Sequence, residues 1–235
     1  MESPPEIVLY GPRIAPYVEK VRRALVYKGL PFELREPASP GDYNRFSPDT
    51  GLLPVITIED ELISDSTDIL LRLDNQFPEP PLLSGDPKIA AQQRQLEDWA
   101  DESFLWYFLQ WVNFREPPTL TPESQPRPAP IAAMGDERQQ SGKIRRLRAW
   151  LRAGGTWERP ETALLRGLSD RLGDLVNFLG TRPFFYSDRL SMADLAIYGM
   201  LMTMHSDAIP GSRKLVEARP SLIAFMRSIE RETGG

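Results

Sequence analysis

The sequence predicts a protein in two parts, a mixed α/β domain followed by an all-helical domain. Within about the first 80 residues, short β-rich runs and helical segments alternate in the order β-α-β-β-β-α. A proline-rich connector follows at residues 79–87 and separates a domain at 1–78 from one at 88–235. The first domain is expected to hold a mixed sheet in βαβ-ββα order, and the second a bundle of helices.

The first three elements form a βαβ unit. Residues 6–10 are β-rich and end at a Gly-Pro pair, which predicts a buried strand. Pro16 suits the first position of a helix, because its missing N–H would have no intrahelical acceptor there. Apolar residues at helical spacing continue the helix over residues 17–28, and residues 31–35 are the next strand. Because a helix joins the two strands, they should be parallel.

A hairpin and a helix complete the first domain. The segment after residue 35 is rich in proline, glycine and aspartate, which predicts a loop. Residues 53–58 and 61–63 predict two strands around an acidic turn. Residues 67–75 then have apolar side chains at helical spacing.

The second domain is helical throughout, apart from one long loop. Residues 116–130 contain six prolines in fifteen positions, so a partly polyproline loop is predicted there. Residues 192–206 are apolar on most faces, so that helix should be buried. The predicted helices span residues 87–114, 136–152, 161–179, 192–206 and 219–231.

The composition limits the chemistry. The net charge is -5, which argues against a basic surface for nucleic acid or for an anionic membrane. The absence of cysteine excludes disulfides, thiolate metal ligands and a cysteine nucleophile. The only histidine, His205, ends an apolar helical stretch, so a packing or surface role is expected and no metal site. The longest near-apolar run, residues 195–204, is too short for a membrane span, and the N-terminus does not resemble a signal peptide. A cytoplasmic protein is therefore expected.

Three short motifs accompany these elements. The motif Leu53-Pro54-Val55 opens the third strand, and Asp65-Ser66 precedes the helix that follows the hairpin. The motif Ser191-Met192-Ala193-Asp194 precedes the apolar helix.

Together with the element order, these motifs resemble the glutathione S-transferase superfamily over nearly the whole chain. The resemblance implies a thioredoxin-like first domain, glutathione as co-substrate, no metal and a homodimer. It implies a cis bond before Pro54, with the main chain of Leu53 pairing with the cysteinyl part of glutathione. Asp65 and Ser66 would hold the γ-glutamyl group at a helix N-terminus. The alternatives are a proline that merely starts a strand, and ordinary N-capping by Ser64 or Ser66.

The third motif has a structural role in this family. Ser191 and Asp194 would form a buried capping box at the start of the apolar helix, each satisfying a main-chain N–H of the other.

The chain departs from the family pattern in two places. Residues 10–17 resemble the strand-to-helix corner that carries the catalytic residue, but Ala15 stands at the serine or cysteine position. The group that contacts the glutathione sulfur is therefore missing. Leu52 occupies a position where many members have a lysine or another polar residue that contacts the glycyl carboxylate.

Three side chains are candidates to stabilise the thiolate instead: Tyr10, Arg13 and Tyr17. A main-chain N–H of Ile14 or Ala15 could also donate a hydrogen bond to it. Each side chain has an ordinary alternative role: Tyr10 could be a core aromatic, Arg13 a solvated surface residue, and Tyr17 a packing residue between the domains.

The second substrate is expected between the domains, beside the aromatic end of the long helix. Four residues there are candidates for its pocket, and the loop at 116–130 is a candidate lid. Three of the four are spaced to share one helix face, a pattern that also fits core packing or a dimer interface. The four are Trp106, Tyr107, Trp111 and Phe114.

The resemblance thus predicts an enzyme that adds glutathione thiolate to a small hydrophobic electrophile, or uses it in isomerisation or ether cleavage. Ala15 and Leu52 motivate the alternatives, a non-catalytic ligand-binding protein or a scaffold on the same fold.

Overall fold

The computed structural model describes residues 5–115 and 161–234. The predicted helix at 136–152 and the predicted loop at 116–130 lie outside these residues. In the described part, four strands and three helices come first and five further helices follow. The strands are β1 Ile7–Tyr10, β2 Glu33–Arg35, β3 Val55–Ile58 and β4 Glu61–Ser64. The helices are α1 Pro16–Tyr27, α2 Pro40–Phe46, α3 Ser66–Gln76, α4 Pro87–Arg115, α5 Glu161–Leu179, α6 Met192–His205, α7 Ser212–Glu217 and α8 Pro220–Glu232.

The strands form one mixed sheet in the order β2-β1-β3-β4. β1 pairs in parallel with β2, while β3 pairs antiparallel with both β1 and β4. Tyr10 lies opposite Val55, so the end of β1 meets the start of β3. The predicted fold class is confirmed.

Helix α2 differs from the prediction, which had a loop at this position. Pro40 occupies the first turn, and Ser39 forms a capping box with Asp42. The Asp42 carboxylate accepts the Ser39 N–H at 2.8 Å and the Ala38 N–H at 2.9 Å. The same proline and aspartate that indicated a loop therefore start a short helix.

Helix α1 carries charged side chains into the interior. Lys20 is fully buried, and Glu19, Arg23 and Lys28 are almost fully buried. Arg23 donates to the Tyr198 hydroxyl of α6 at 3.0 Å and also to Thr233 and Glu19. A buried charge without partners would be strongly unfavourable, so these contacts fix α1 against the helical part of the chain.

Helix α6 approaches α1 without an intervening side chain. A Cβ placed on Gly199 would lie 2.4 Å from the carbonyl oxygen of Pro16. The main chain at the start of α1 would block that Cβ, and main chain cannot rotate away as a side chain can. Glycine at this position therefore sets how closely the two helices pack.

The connector after α3 is held by Lys28 at the end of α1. Its ammonium donates to the Asp74 carboxylate at 2.9 Å and to the carbonyls of Phe77 and Pro80 at 2.7 and 2.8 Å. The Leu82 N–H donates to the same Asp74 oxygen at 2.7 Å. All three ammonium hydrogens thus have acceptors, which explains how a lysine can be buried here.

Helix α6 is buried on most of its faces, as its apolar sequence predicts. It begins with the capping box that the resemblance implied. The Asp194 carboxylate accepts the Ser191 N–H and the Phe185 N–H, each at 2.9 Å, and the Ser191 hydroxyl at 2.5 Å. Burial raises the pKa of Asp194 to about 6, although these hydrogen bonds act in the opposite direction.

The capping box generates a prediction about pH. Because the Asp194 pKa is higher in the folded chain than the ordinary 3.8, the folded state binds this proton more tightly. The contribution of Asp194 to the free energy of unfolding should therefore fall by about 2 kcal/mol as the pH rises from 4 to 6. Chemical denaturation of the unaltered chain and of Asp194→Asn, compared over this range, isolates that contribution. A stability difference between the two proteins that is independent of pH would contradict the prediction.

Candidate functional site

The start of β3 has the geometry that the Leu-Pro motif implied. The Leu53–Pro54 peptide bond is cis. Leu53 precedes the β1–β3 ladder, whose last pair is Tyr10 and Val55. Gly11 lies beside it, since a Cβ placed on Gly11 would be 3.5 Å from the Leu53 Cβ. The main chain at Leu53 therefore lies next to the corner that joins β1 and α1.

The N-terminus of α3 is capped by Asp65. Its carboxylate accepts the N–H groups of Thr67 at 2.9 Å and Asp68 at 3.4 Å, so neither Ser64 nor Ser66 is the N-cap. Asp65 has φ 73°, a conformation that non-glycine residues rarely adopt. Ser66 is the first residue of the helix and is buried. A negative side chain and a hydroxyl are thus held at the positive end of a helix dipole.

The N-terminus of α1 begins at Ala15. Ala15 is the N-cap residue but makes no side-chain capping bond. Its own N–H donates to the Pro12 carbonyl at 2.9 Å, so that N–H already has an acceptor. Pro16 has no N–H, and the first main-chain donors of the helix are those of Tyr17 and Val18.

Two of the three candidate thiolate partners have surroundings that fit their ordinary roles. The Tyr10 ring packs on Phe46 of α2 with centroids 4.8 Å apart, and the Arg35 guanidinium lies 5.9 Å from the Tyr10 ring. Arg13 is exposed, and its main-chain N–H donates to Glu36 at 2.9 Å. Leu52 is exposed as well, with its N–H on the Thr50 hydroxyl at 3.1 Å.

The third candidate, Tyr17, bridges the two parts of the chain. Its hydroxyl donates to the Asp101 carbonyl of α4 at 3.1 Å. Burial raises the pKa of Tyr17 well above its ordinary value, and the charges of Asp101, Glu97 and Asp65 raise it further. Tyr17 is therefore a neutral phenol whose hydrogen is already donated.

A buried polar cluster that the sequence analysis did not identify lies beside Tyr17. The Lys20 ammonium donates to the Glu97 carboxylate and, at 2.8 Å, to Asp101. The Thr67 hydroxyl donates to the same Glu97 oxygen at 2.7 Å. The available signal was the i, i+4 spacing of Glu97 and Asp101 on the inner face of α4, where apolar residues are expected.

The predicted aromatic pocket residues lie in and beside the helical core. Tyr107 and Trp111 are buried, and the Trp106 ring meets Tyr107 edge to face at 4.8 Å. A Cβ on Gly167 of α5 would be 3.0 Å from the Tyr107 hydroxyl, so Tyr107 packs where α4 meets α5. The Phe114 side chain is outside the described residues. A role for these residues in substrate binding remains a prediction.

Other kinds of site are not found in the described part of the chain. Residues 5–115 and 161–234 contain no group of three or more histidine, cysteine, aspartate or glutamate side chains arranged to hold a metal ion. None of the helices in these ranges is both long enough and apolar enough to span a membrane.

The fold and this corner define a class of protein: a mixed-sheet domain with a cis-proline and a capped α3, packed through α1 against a helical domain. Residues 9–81 match the family model "Glutathione S-transferase, N-terminal domain", and residues 158–234 match "Glutathione S-transferase, C-terminal domain". The chain belongs to the glutathione S-transferase superfamily.

Curated relatives match over part of the chain. A segment of 73 residues, 28% of this chain and 32% of the relative, is 38% identical to glutathione S-transferase Z2 of Arabidopsis thaliana. A segment of 91 residues, 38% of this chain and 42% of the relative, is 32% identical to a glutathione S-transferase of Triticum aestivum. The matched segments thus span less than half the length of these two relatives.

Solved structures match over almost the whole chain and support the fold. The β-etherase LigF of Sphingobium sp. strain SYK-6 matches with a TM-score of 0.66 and 20% identity, covering 95% of this chain and 94% of that one. A rice transferase in complex with glutathione matches with a TM-score of 0.65 and 24% identity, covering 98% and 88%. A Methylobacterium radiotolerans transferase in complex with glutathione sulfonate matches with a TM-score of 0.63 and 24% identity, covering 96% and 90%.

The geometry at Tyr17 generates a second prediction. Tyr17→Phe removes a hydrogen bond to a main-chain carbonyl and should lower the free energy of unfolding by about 1 kcal/mol. Because the hydroxyl is already donated, the substitution should leave the thiol pKa of bound glutathione unchanged. Denaturant unfolding and an ultraviolet titration of the bound thiolate measure the two effects. A rise of one unit in that thiol pKa would assign Tyr17 to the thiolate.

Proposed function

We propose that this protein binds reduced glutathione at the corner formed by Leu53, Asp65 and Ser66, and adds its thiolate to a small hydrophobic electrophile. The main supporting observation is the N-terminus of α3, where Asp65 is the cap and Ser66 is buried. Thr67 of this turn shares a Glu97 oxygen with Lys20 of α1, so the first turn of α3 lies near α1. The cis peptide bond at Pro54 lies directly before Val55, which pairs with Tyr10 at the end of β1.

Two of the three parts of the tripeptide, the γ-glutamyl and cysteinyl units, have partners in this proposal. The main chain of Leu53 pairs with the cysteinyl unit as an added strand would. The hydroxyl and main-chain N–H of Ser66 take the γ-glutamyl carboxylate at the positive end of the α3 dipole, and Asp65 attracts the adjacent ammonium. The glycyl carboxylate has no charged partner at Leu52, which is expected to weaken binding.

Thiol ionisation is the demanding step. A free thiol has a pKa of about 8.5, and lowering it by one to two units requires roughly 1.4–2.7 kcal/mol of thiolate stabilisation. The N-terminus of α1 contributes about 0.3–1 kcal/mol in exposed sites and up to about 2 kcal/mol when partly buried. The first donors there, the N–H groups of Tyr17 and Val18, receive no cap from Ala15. Catalysis would therefore depend on a helix end and on orientation of the two substrates.

The reaction class is attack of the thiolate on a carbon electrophile, with isomerisation or ether cleavage as variants that use the same thiolate. In ether cleavage a C–S bond forms as the C–O bond breaks, and the oxygen departs as an alkoxide or phenoxide that takes up a proton. The last variant is in keeping with the structural similarity to a β-etherase. We expect a cytoplasmic homodimer that uses glutathione as co-substrate without a metal.

A second candidate function is a ligand-binding protein that has lost catalysis. Ala15 favours it, because the side chain that would contact the sulfur is a methyl group. Such a protein would bind glutathione or an apolar ligand without lowering a thiol pKa.

Calorimetric titration with reduced glutathione at pH 7 tests the binding site. One molecule should bind per chain, and Asp65→Asn should weaken binding about tenfold by removing the charge that attracts the ammonium while retaining a capping side chain. Asp60→Asn, the same change on the exposed β3–β4 turn, is the matched control and should bind as the unaltered protein does. Failure of the unaltered protein to bind millimolar glutathione would refute the proposal.

Restoring a hydroxyl at the corner separates the two functions. Ala15→Ser should stabilise the protein by about 1 kcal/mol through N-capping and lower the bound thiol pKa by about one unit. Turnover of 1-chloro-2,4-dinitrobenzene at pH 6.5 should rise about tenfold. Ala15→Gly, which also suits an N-cap but carries no hydroxyl, is the control. Equal thiol pKa values in the two variants would show that the sulfur does not lie at this helix end.

A further inference from the structure

The buried cluster beside Tyr17 is an interdomain network. Its members are Lys20, Thr67, Glu97 and Asp101. Lys20 and Glu97 are fully buried and Asp101 is 5% exposed. The members come from three helices: Lys20 from α1, Thr67 from α3, and the two carboxylates from α4. Helix α4 of the helical domain therefore binds side chains of both α1 and α3, the two helices whose first turns border the candidate site.

The interdomain network contacts the first turn of α3 and the first turn of α1, and both turns border the proposed glutathione site. At one end, Thr67 donates its hydroxyl to Glu97 at 2.7 Å and its N–H to the Asp65 carboxylate at 2.9 Å. At the other end, the Asp101 carbonyl accepts the Tyr17 hydroxyl at 3.1 Å. The turn that holds Asp65 and Ser66 is thus linked to α4 through Thr67.

Stability alone does not account for this arrangement. Taking three charged groups out of water is unfavourable, and well-packed apolar residues in such places are often equally stable or more stable. Charge-assisted hydrogen bonds are, however, directional, and they hold their partners in one geometry. The Thr67–Glu97 bond fixes the rotation of the first turn of α3, where apolar contacts would allow small shifts.

We propose that Glu97 is a positioning residue for glutathione and acts through Thr67. It holds the first turn of α3 in the orientation in which Asp65 and Ser66 meet the γ-glutamyl group. Lys20 keeps the Glu97 carboxylate in place and links it to Asp101. The inference rests on the proposed function, because it assigns a role relative to bound glutathione.

The role predicts a ligand-specific effect that a purely structural bond would not give. Thr67→Val keeps the shape of the side chain but removes the hydroxyl donor. Loss of this donor should weaken the binding of ligands that carry a γ-glutamyl group and leave the binding of other ligands unchanged. Reduced glutathione and γ-glutamylcysteine carry that group, whereas cysteinylglycine lacks it.

Calorimetry on the full chain with these three thiols tests the inference. Thr67→Val should raise the Kd for glutathione and γ-glutamylcysteine by about tenfold and leave cysteinylglycine unchanged. Thr67→Ser, which keeps the hydroxyl, should bind glutathione within about twofold of the unaltered protein. Glu97→Gln keeps an acceptor for Thr67 but loses the charge, so its Kd for glutathione should lie between those of Thr67→Val and Thr67→Ser. Thr203→Val in α6 removes another helical threonine hydroxyl bond, at 2.9 Å to Gly199, and is the matched control.

The outcomes distinguish the inference from the proposed function. Glutathione binding by the unaltered protein together with an unchanged Kd in Thr67→Val would overturn the inference and leave the proposed function standing. An equal rise in the Kd of all three thiols in Thr67→Val would also overturn it, and so would a Kd for glutathione in Thr67→Ser as high as in Thr67→Val. Either result would indicate general damage to the fold. Absence of glutathione binding by the unaltered protein would overturn both.

Discussion

The burial of charge along α1 is the constraint on which the rest of the structure depends. Lys20 and Arg23 point into the helical domain, and Lys28 holds the connector. A charged group inside a protein is tolerated only when its partners are in place. The two parts of the chain therefore cannot shift relative to each other without breaking hydrogen bonds that water does not replace. This sets the spacing between the sheet domain and the helices more strictly than apolar packing would.

The candidate site inherits its geometry from this interface. Its two helix ends belong to the sheet domain, yet both are tied to α4, one through Tyr17 and the other through Thr67. Only the strand portion, at the cis peptide bond before Pro54, is formed within the sheet domain itself. The affinity for a ligand at this corner should consequently depend on α4 as well as on the sheet domain.

Local sequence signals predicted the parts that depend on local chemistry. A serine three residues before an aspartate is a helix-start signal that neighbours in the chain determine. The cis bond before Pro54 and the burial of the box at Ser191 were predicted from the resemblance to the glutathione S-transferase superfamily. Helix α2 was missed because proline and aspartate occur both in loops and at helix starts. The partners of Lys20 were out of reach, because they are 77 and 81 residues away in the chain and only the packing of α1 against α4 brings them together.

The glycine at position 199 has a consequence for how this chain can change over time. Position 199 and the first turn of α1 compete for the same space, since a methyl group on residue 199 would collide with the main chain of Pro16. Substitutions there are accessible to mutation only after the start of α1 has moved, and moving it displaces the corner that includes Ala15. The path of the main chain at this corner and the glycine at position 199 therefore constrain each other.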